Sequence, residues 1–157
     1  MRTGIGYDCH RLAPERKLVL GGVLVPFDKG LIGWSDADAL SHAVIDSLLG
    51  AAALGDIGAH FPPGDPAYKD ISSLTLLQKV VGMLDDKGFR VVNVDATVIA
   101  EQPRLREHID QMRSRLASVL QIGVDRVSIK ASTANLLGFV GREEGMATWA
   151  VSSIEEK

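Results

Sequence analysis

The chain has 157 residues, 46% of them apolar, a formal net charge of -3 and a single cysteine, Cys9. This length encloses one hydrophobic core, so residues 1–157 read as one domain, and the acidic balance excludes the global positive field that gathers nucleic acid or an anionic membrane. One cysteine excludes an internal disulfide framework, and no basic stretch leads into a long apolar run of the kind that marks a signal peptide or membrane span, so a reducing cytoplasm is the expected location.

In chain order, residues 2–9 (RTGIGYDC) alternate with the period of a strand, which puts Gly4, Gly6, Asp8 and His10 on one face and Ile5, Tyr7 and Cys9 on the other. Cys9 is expected there as a small buried hydrophobe. Lys17 to Pro26 carries two short leucine-rich or β-branched runs around Gly21-Gly22, the signal of a tight hairpin. Ser35 is expected to cap a helix running from about Asp38 to Leu54 and stopped by Gly55, with Asp36 and Asp38 complementing the helix dipole. Residues 56–70 hold Pro62, Pro63 and Pro66, which neither continue a helix nor join a sheet interior, and read as a functional loop or lid.

A second helix, capped by Ser72 or Ser73, carries Leu74, Leu77, Val80, Val81 and Leu84 at helical spacing before Gly88. Phe89 to Ala100 is strand-like. Pro103 introduces a third helix with Leu105, Ile109, Met112, Leu116 and Leu120 on one stripe, ending near Gly123. Val127–Ser132 and Gly145–Ile154 alternate again as strands. One-sided helices joined to alternating strands predict an α+β fold: a single mixed sheet with helices on one face, plus the small β-hairpin. The other face of the sheet then needs a cover, either water or a second subunit.

Asp8 and His10 emerge from one strand face with glycines before them, which leaves room for a ligand or another backbone. His42 lies about one turn into the first helix, and Asp46, four residues on, is positioned to orient its imidazole. Two histidines and an aspartate with no thiolate suit a catalytic zinc with open positions, or manganese or iron; the alternative is ordinary polar residues near a strand end. Ser132 and Thr133 after a strand, with Arg142 between two glycines, look like a phosphate clamp.

Together GIGYDCHRL, LVLGGVLVP, GLIGWSDADALSHAVIDSLLGAAALGDIGAHFP, NVDATVIAEQPRL and KAST with GFVGREEGMA closely resemble the 2-C-methyl-D-erythritol 2,4-cyclodiphosphate synthase family of the non-mevalonate isoprenoid pathway. The similarity runs from about Arg2 to Ser152. It implies a homotrimer whose sheets face inward around a channel, with active sites between subunits. It also implies a substrate, 4-diphosphocytidyl-2-C-methyl-D-erythritol 2-phosphate, that cyclises and releases CMP. On this resemblance Asp8, His10 and His42 are the zinc ligands, and Asp8 and His10 also meet substrate. Asp56, Ile57 and Gly58 hold hydroxyls, while Ala100, Pro103, Arg104, Leu105 and Arg106 form the cytidine pocket. Ala131, Ser132 and Thr133 surround the diphosphate, Trp34 and Phe139 also contact substrate, and Ser35, Thr133 and Arg142 serve catalysis.

Three positions depart from the family pattern. Arg104 stands where lysine is usual and Trp34 where the family has histidine. Asn135 replaces a glutamate that helps hold magnesium or manganese between the phosphates, so either the substrate phosphates supply ligands enough and the change is tolerated, or the second cation site is weakened. Two other functions use the same residues: a zinc-dependent phosphohydrolase, or a catalytically silent trimer that binds a nucleotide or isoprenoid diphosphate.

Overall fold

The computed structural model describes all 157 residues. The first strand, β1, spans Arg2–Pro14, running on past the stretch whose alternation predicted it. A tight hairpin follows, β2 (Leu18–Leu20) and β3 (Val23–Val25), with Gly21 and Gly22 both at positive φ, 56° and 72°. Two consecutive left-handed residues make the primed turn that matches strand twist, which explains the glycine pair. A further strand, β4 (Lys29–Leu31), pairs antiparallel with the end of β1. Three residues around Gly30 carry too little periodicity to announce a strand, and the sequence reading lacks it.

The remaining strands are β5 (Phe89–Ile99), β6 (Val127–Ser132) and β7 (Gly145–Glu156). β7 lies antiparallel between β1 and β5, and β6 pairs parallel to β5, giving the order β4-β1-β7-β5-β6. The result is the expected mixed sheet, five-stranded once β4 is counted, with a separate two-stranded hairpin. No helix is long and apolar enough to cross a membrane.

Helix α1 (Ala39–Ala51) crosses the sheet over β1 and β7 and is buried along nearly its whole circumference. It is capped by Asp38, not Ser35: Ala37 at positive φ (56°) turns the chain first, and the Asp38 carboxylate then accepts from Ser41 N at 3.0 Å. The same carboxylate accepts from Gly21 N (2.9 Å) and Gly22 N (2.7 Å), so one buried side chain fastens the hairpin turn to the helix start. The helix stops at Ala51, short of the expected Leu54, and Gly55 belongs to the turn beyond. Inside the proline-rich segment a short helix, α2 (Ile57–His60), is capped by Asp56 before Pro62 can interrupt it. That segment is therefore not all irregular.

Helix α3 (Ser73–Asp86) packs on α1, and α4 (Ile109–Leu120), preceded by a 3-10 turn at Arg106–His108, packs on α3 and β6. α4 ends at Gln121, whose left-handed φ of 58° supplies the termination expected of Gly123. A last short helix, α5, covers Gly138–Gly141. Leu48, Leu49, Leu77, Val80, Met112 and Leu116 fill the core between the helices and one face of the sheet. The opposite face carries no helix layer and leaves Ile5, Tyr7, Trp149 and Val151 exposed. Cys9 sits on that face and is exposed too, against the expectation of a buried thiol.

Candidate metal centre

Gly4 and Gly6 explain how α1 reaches the strand. A Cβ on Gly6 would lie 1.9 Å from the Ala43 carbonyl oxygen, and one on Gly4 would lie 2.1 Å from that of Ser47. The helix backbone thus occupies the space that side chains would take, and the expected close approach is that of another backbone. Held there, α1 brings His42 over the strand face that carries Asp8 and His10.

The three ligand atoms converge. Asp8 Oδ2 lies 2.9 Å from His10 Nε2 and 3.3 Å from His42 Nδ1, and the two histidine nitrogens are 3.2 Å apart. A tetrahedral ion with bonds of about 2.0–2.1 Å has ligand-to-ligand edges of roughly 3.3–3.4 Å, so the triangle is close to the size a zinc ion requires. His10 Nδ1 donates to the Ile32 carbonyl at 2.7 Å, which leaves its Nε2 without a hydrogen in the neutral ring. Asp8 Oδ2 is buried and accepts no hydrogen bond, so lone pairs face one another across a gap of a size that can hold a cation.

Charge at the centre points the same way. Burial opposes ionisation of Asp8, but the two adjoining histidines outweigh it and hold the carboxyl below its ordinary range. Burial likewise depresses His10, and Asp8 with the Ile32 carbonyl outweighs it and holds the imidazole above its ordinary value. A cation entering the triangle competes with protons for the same lone pairs.

Asp46 does not orient His42. Its carboxylate accepts from Ile57 N at 2.7 Å and so ties the end of the α1–α2 connection instead. The outer ring nitrogen of His42 meets two hydroxyls, Ser73 Oγ at 2.8 Å and Ser35 Oγ at 3.1 Å. Ser73 was legible only as a possible helix cap. Its partnership with His42 joins residues 31 apart in sequence, and no local spacing announces it.

A cavity of about 220 Å³ opens over the triangle, lined by Asp8, His10, Trp34, Ser35, His42, Ile57, Gly58, Phe61, Pro63, Tyr68 and Leu76. Trp34 forms part of its wall and donates its indole N–H to the Asp65 carbonyl at 2.8 Å, pinning the proline-rich segment beside the opening. Residues 1–155 match the YgbB family. The chain belongs to that family. The YgbB relatives include a 2-C-methyl-D-erythritol 2,4-cyclodiphosphate synthase of Dehalococcoides mccartyi, 64% identical over 157 residues and covering all of both chains. Another, of the same name from Syntrophomonas wolfei, is 58% identical over 156 residues, 99% of each chain. Among solved structures, the bifunctional IspDF of Campylobacter jejuni superposes with a TM-score of 0.96 at 37% identity; 99% of this chain matches 42% of that longer one. A CDP complex of IspF from Plasmodium falciparum, matched over 99% of this chain and 96% of that one, gives a TM-score of 0.87 at 30% identity.

The other positions that the YgbB resemblance singles out fall into separate groups. Ala100, Pro103, Arg104, Leu105, Arg106, Ala131, Ser132 and Thr133 line a second cavity of about 470 Å³ between the end of β5, the start of the α4 segment and the end of β6. It shares no lining residue with the cavity over the triangle. Asp56 caps α2 beside the first cavity. Phe139 and Arg142 enter neither cavity: Phe139 adjoins Tyr7 and Trp149 on the uncovered sheet face, and Arg142 is paired with Glu144 at 2.8 Å. Asn135 is exposed with φ at 52°, a backbone state that asparagine adopts more readily than glutamate.

Proposed function

We propose that the chain converts 4-diphosphocytidyl-2-C-methyl-D-erythritol 2-phosphate into 2-C-methyl-D-erythritol 2,4-cyclodiphosphate and CMP. The observation that carries this reading is the convergence of Asp8, His10 and His42 on one point, in a family member whose relatives bear that synthase name. An oxygen of the 2-phosphate forms a bond to the β-phosphorus. The bond from that phosphorus to the oxygen bridging to the α-phosphate breaks, and this oxygen leaves with CMP. The substrate supplies its own nucleophile, so the protein's work is positioning and charge neutralisation.

Asp8, His10 and His42 would hold zinc, which would supply Lewis-acid polarisation of phosphate, and magnesium or manganese beside Asn135 would neutralise phosphate charge. Ser35, Thr133 and Arg142 are assigned to hydrogen bonding of the reacting phosphates, with Trp34 and Phe139 contacting substrate. Asp56, Ile57 and Gly58 hold its hydroxyls, Ala100, Pro103, Arg104, Leu105 and Arg106 receive cytidine, and Ala131, Ser132 and Thr133 surround the diphosphate. The working unit is a homotrimer with active sites between subunits. Two observations support it: the two cavities lie apart within one chain, and the apolar sheet face of Ile5, Tyr7, Trp149 and Val151 is uncovered.

The test is to incubate the protein with the substrate, zinc and magnesium and to analyse the products. CMP together with the cyclic diphosphate is the expected outcome, abolished by a chelator; an opened phosphate product, or no CMP, overturns the assignment. Light scattering should give three times the 16.8 kDa chain mass.

A further inference from the structure

Behind His42, on the side away from the ligand triangle, lies a chain of hydrogen bonds that the reaction itself does not call for. His42 Nε2 is 2.8 Å from Ser73 Oγ. The Ser73 hydroxyl in turn donates to Asp36 Oδ1, and Ser73 N donates to Asp36 Oδ2 at 3.0 Å. Asp36 Oδ1 also accepts from Asp38 N at 3.1 Å. Ser73 is fully buried.

We propose that Asp36 and Ser73 act as a positioning relay that sets the tautomer of His42 and thereby the grip of the chain on its cation. This rests on the metal-centre reading above. A carboxylate has no hydrogen to give, so the single hydrogen of the Ser73 hydroxyl is committed to Asp36. Toward His42, Ser73 then offers only a lone pair. His42 Nε2 must carry the ring hydrogen in order to use it, and Nδ1 is left bare toward Asp8 and His10. Ser35 alone does not impose this choice: its Oγ accepts from Ala37 N at 3.3 Å, and its own hydrogen can turn to Ser73 Oγ at 3.5 Å or to His42, so it serves either tautomer.

His10 obeys the same rule by a different route, because the Ile32 carbonyl can only accept. The two imidazoles are therefore preset from opposite sides, one by the backbone and one by a side-chain relay. Because Asp36 precedes α1 and Ser73 opens α3, the relay also makes the cation site depend on how those two helices meet. Outer partners of metal-bound histidines commonly govern affinity by roughly 10- to 100-fold.

The experiment compares the wild type with Ser73→Ala, which removes the acceptor, and with Asp36→Asn, which leaves one acceptor oxygen facing three donors. Zinc affinity is measured by chelator competition, and the His42 ring tautomer of the metal-free protein is read by ¹⁵N NMR in alkaline solution. The expected result is a zinc affinity lower by roughly 10- to 100-fold in both variants. The wild type should hold the hydrogen on Nε2, and the variants should show a mixture. Wild-type affinity in folded Ser73→Ala with the hydrogen still on Nε2 overturns the relay while leaving the metal centre intact. Failure of the wild type to bind zinc overturns the metal centre itself. Should Asp36→Asn fail to fold, Ser73→Ala alone decides, since it deletes one oxygen from a closely packed site.

Discussion

Gly6→Ala tests the link between fold and site most directly. The added Cβ would stand 1.9 Å from the Ala43 carbonyl oxygen and 2.7 Å from Ser47 N, whereas real Cβ atoms essentially never come closer than 3.0 Å. Both obstacles are helix backbone, which cannot rotate away, so α1 must retreat by about 1.1 Å or more to reopen the gap. Ala43 adjoins His42. Carried onto the ligand triangle, that retreat stretches the two edges at His42, 3.2 and 3.3 Å, to about 4.3 and 4.4 Å, beyond the roughly 3.3–3.4 Å that a tetrahedral zinc spans.

Overpacking of this kind costs roughly 1–3 kcal/mol, or ~2–12 °C in Tm at about 2–4 °C per kcal/mol for a chain of this length. Gly4→Ala is the companion variant, because its Cβ would strike Ser47 O and the Ala51 backbone, one turn farther from His42. Both should melt earlier in calorimetry, and Gly6→Ala should lose distinctly more zinc affinity by chelator competition. A folded Gly6→Ala protein with unchanged Tm and unchanged zinc affinity would refute the claim that glycine in the strand seats the helix-borne ligand.

Other consequences are equally measurable. Asp38→Ala strands the N–H groups of Gly21, Gly22 and Ser41 and should cost ~3 kcal/mol or more in urea unfolding. Trp34→Phe keeps an aromatic wall but loses the bond to the Asp65 carbonyl. At about 1 kcal/mol for that bond, segment 62–70 should be cut by thermolysin roughly 5-fold faster in the variant, and an unchanged rate would show that the indole does not hold the segment. Asn135→Glu restores a carboxylate near Thr133 and should lower the magnesium concentration needed for half-maximal turnover; an identical magnesium curve contradicts a role for position 135 in cation binding.

The parts of the site that local pattern can carry were legible in the sequence. Alternation in β1 placed Asp8 and His10 on one face, and the paired glycines ahead of them announced a close neighbour. Helical spacing could not say which carboxylate serves His42. Asp46 lies on the right face at the right separation, yet its rotamer is decided by the Ile57 amide, while the effective partners Ser73 and Asp36 come from another helix and the loop before α1. Ser35 lost the cap to Asp38 because Ala37 takes a left-handed turn that no residue preference foretold. Cys9 is exposed because burial of a strand residue depends on what lies over its face, and within one chain nothing does. The segments rich in motif, from the Gly-Gly hairpin to the KAST strand end, carried the family resemblance; Phe139 and Arg142 lie outside both cavities of the chain.

The separation of the two cavities makes damage to them divisible. A change at Asp8 leaves the lining of the second cavity untouched, and a change at Arg104 leaves the three convergent ligand atoms untouched. On the proposed trimer, co-refolding two such inactive parents pairs a sound half from each across a shared boundary, so the mixture is expected to regain turnover that neither possesses.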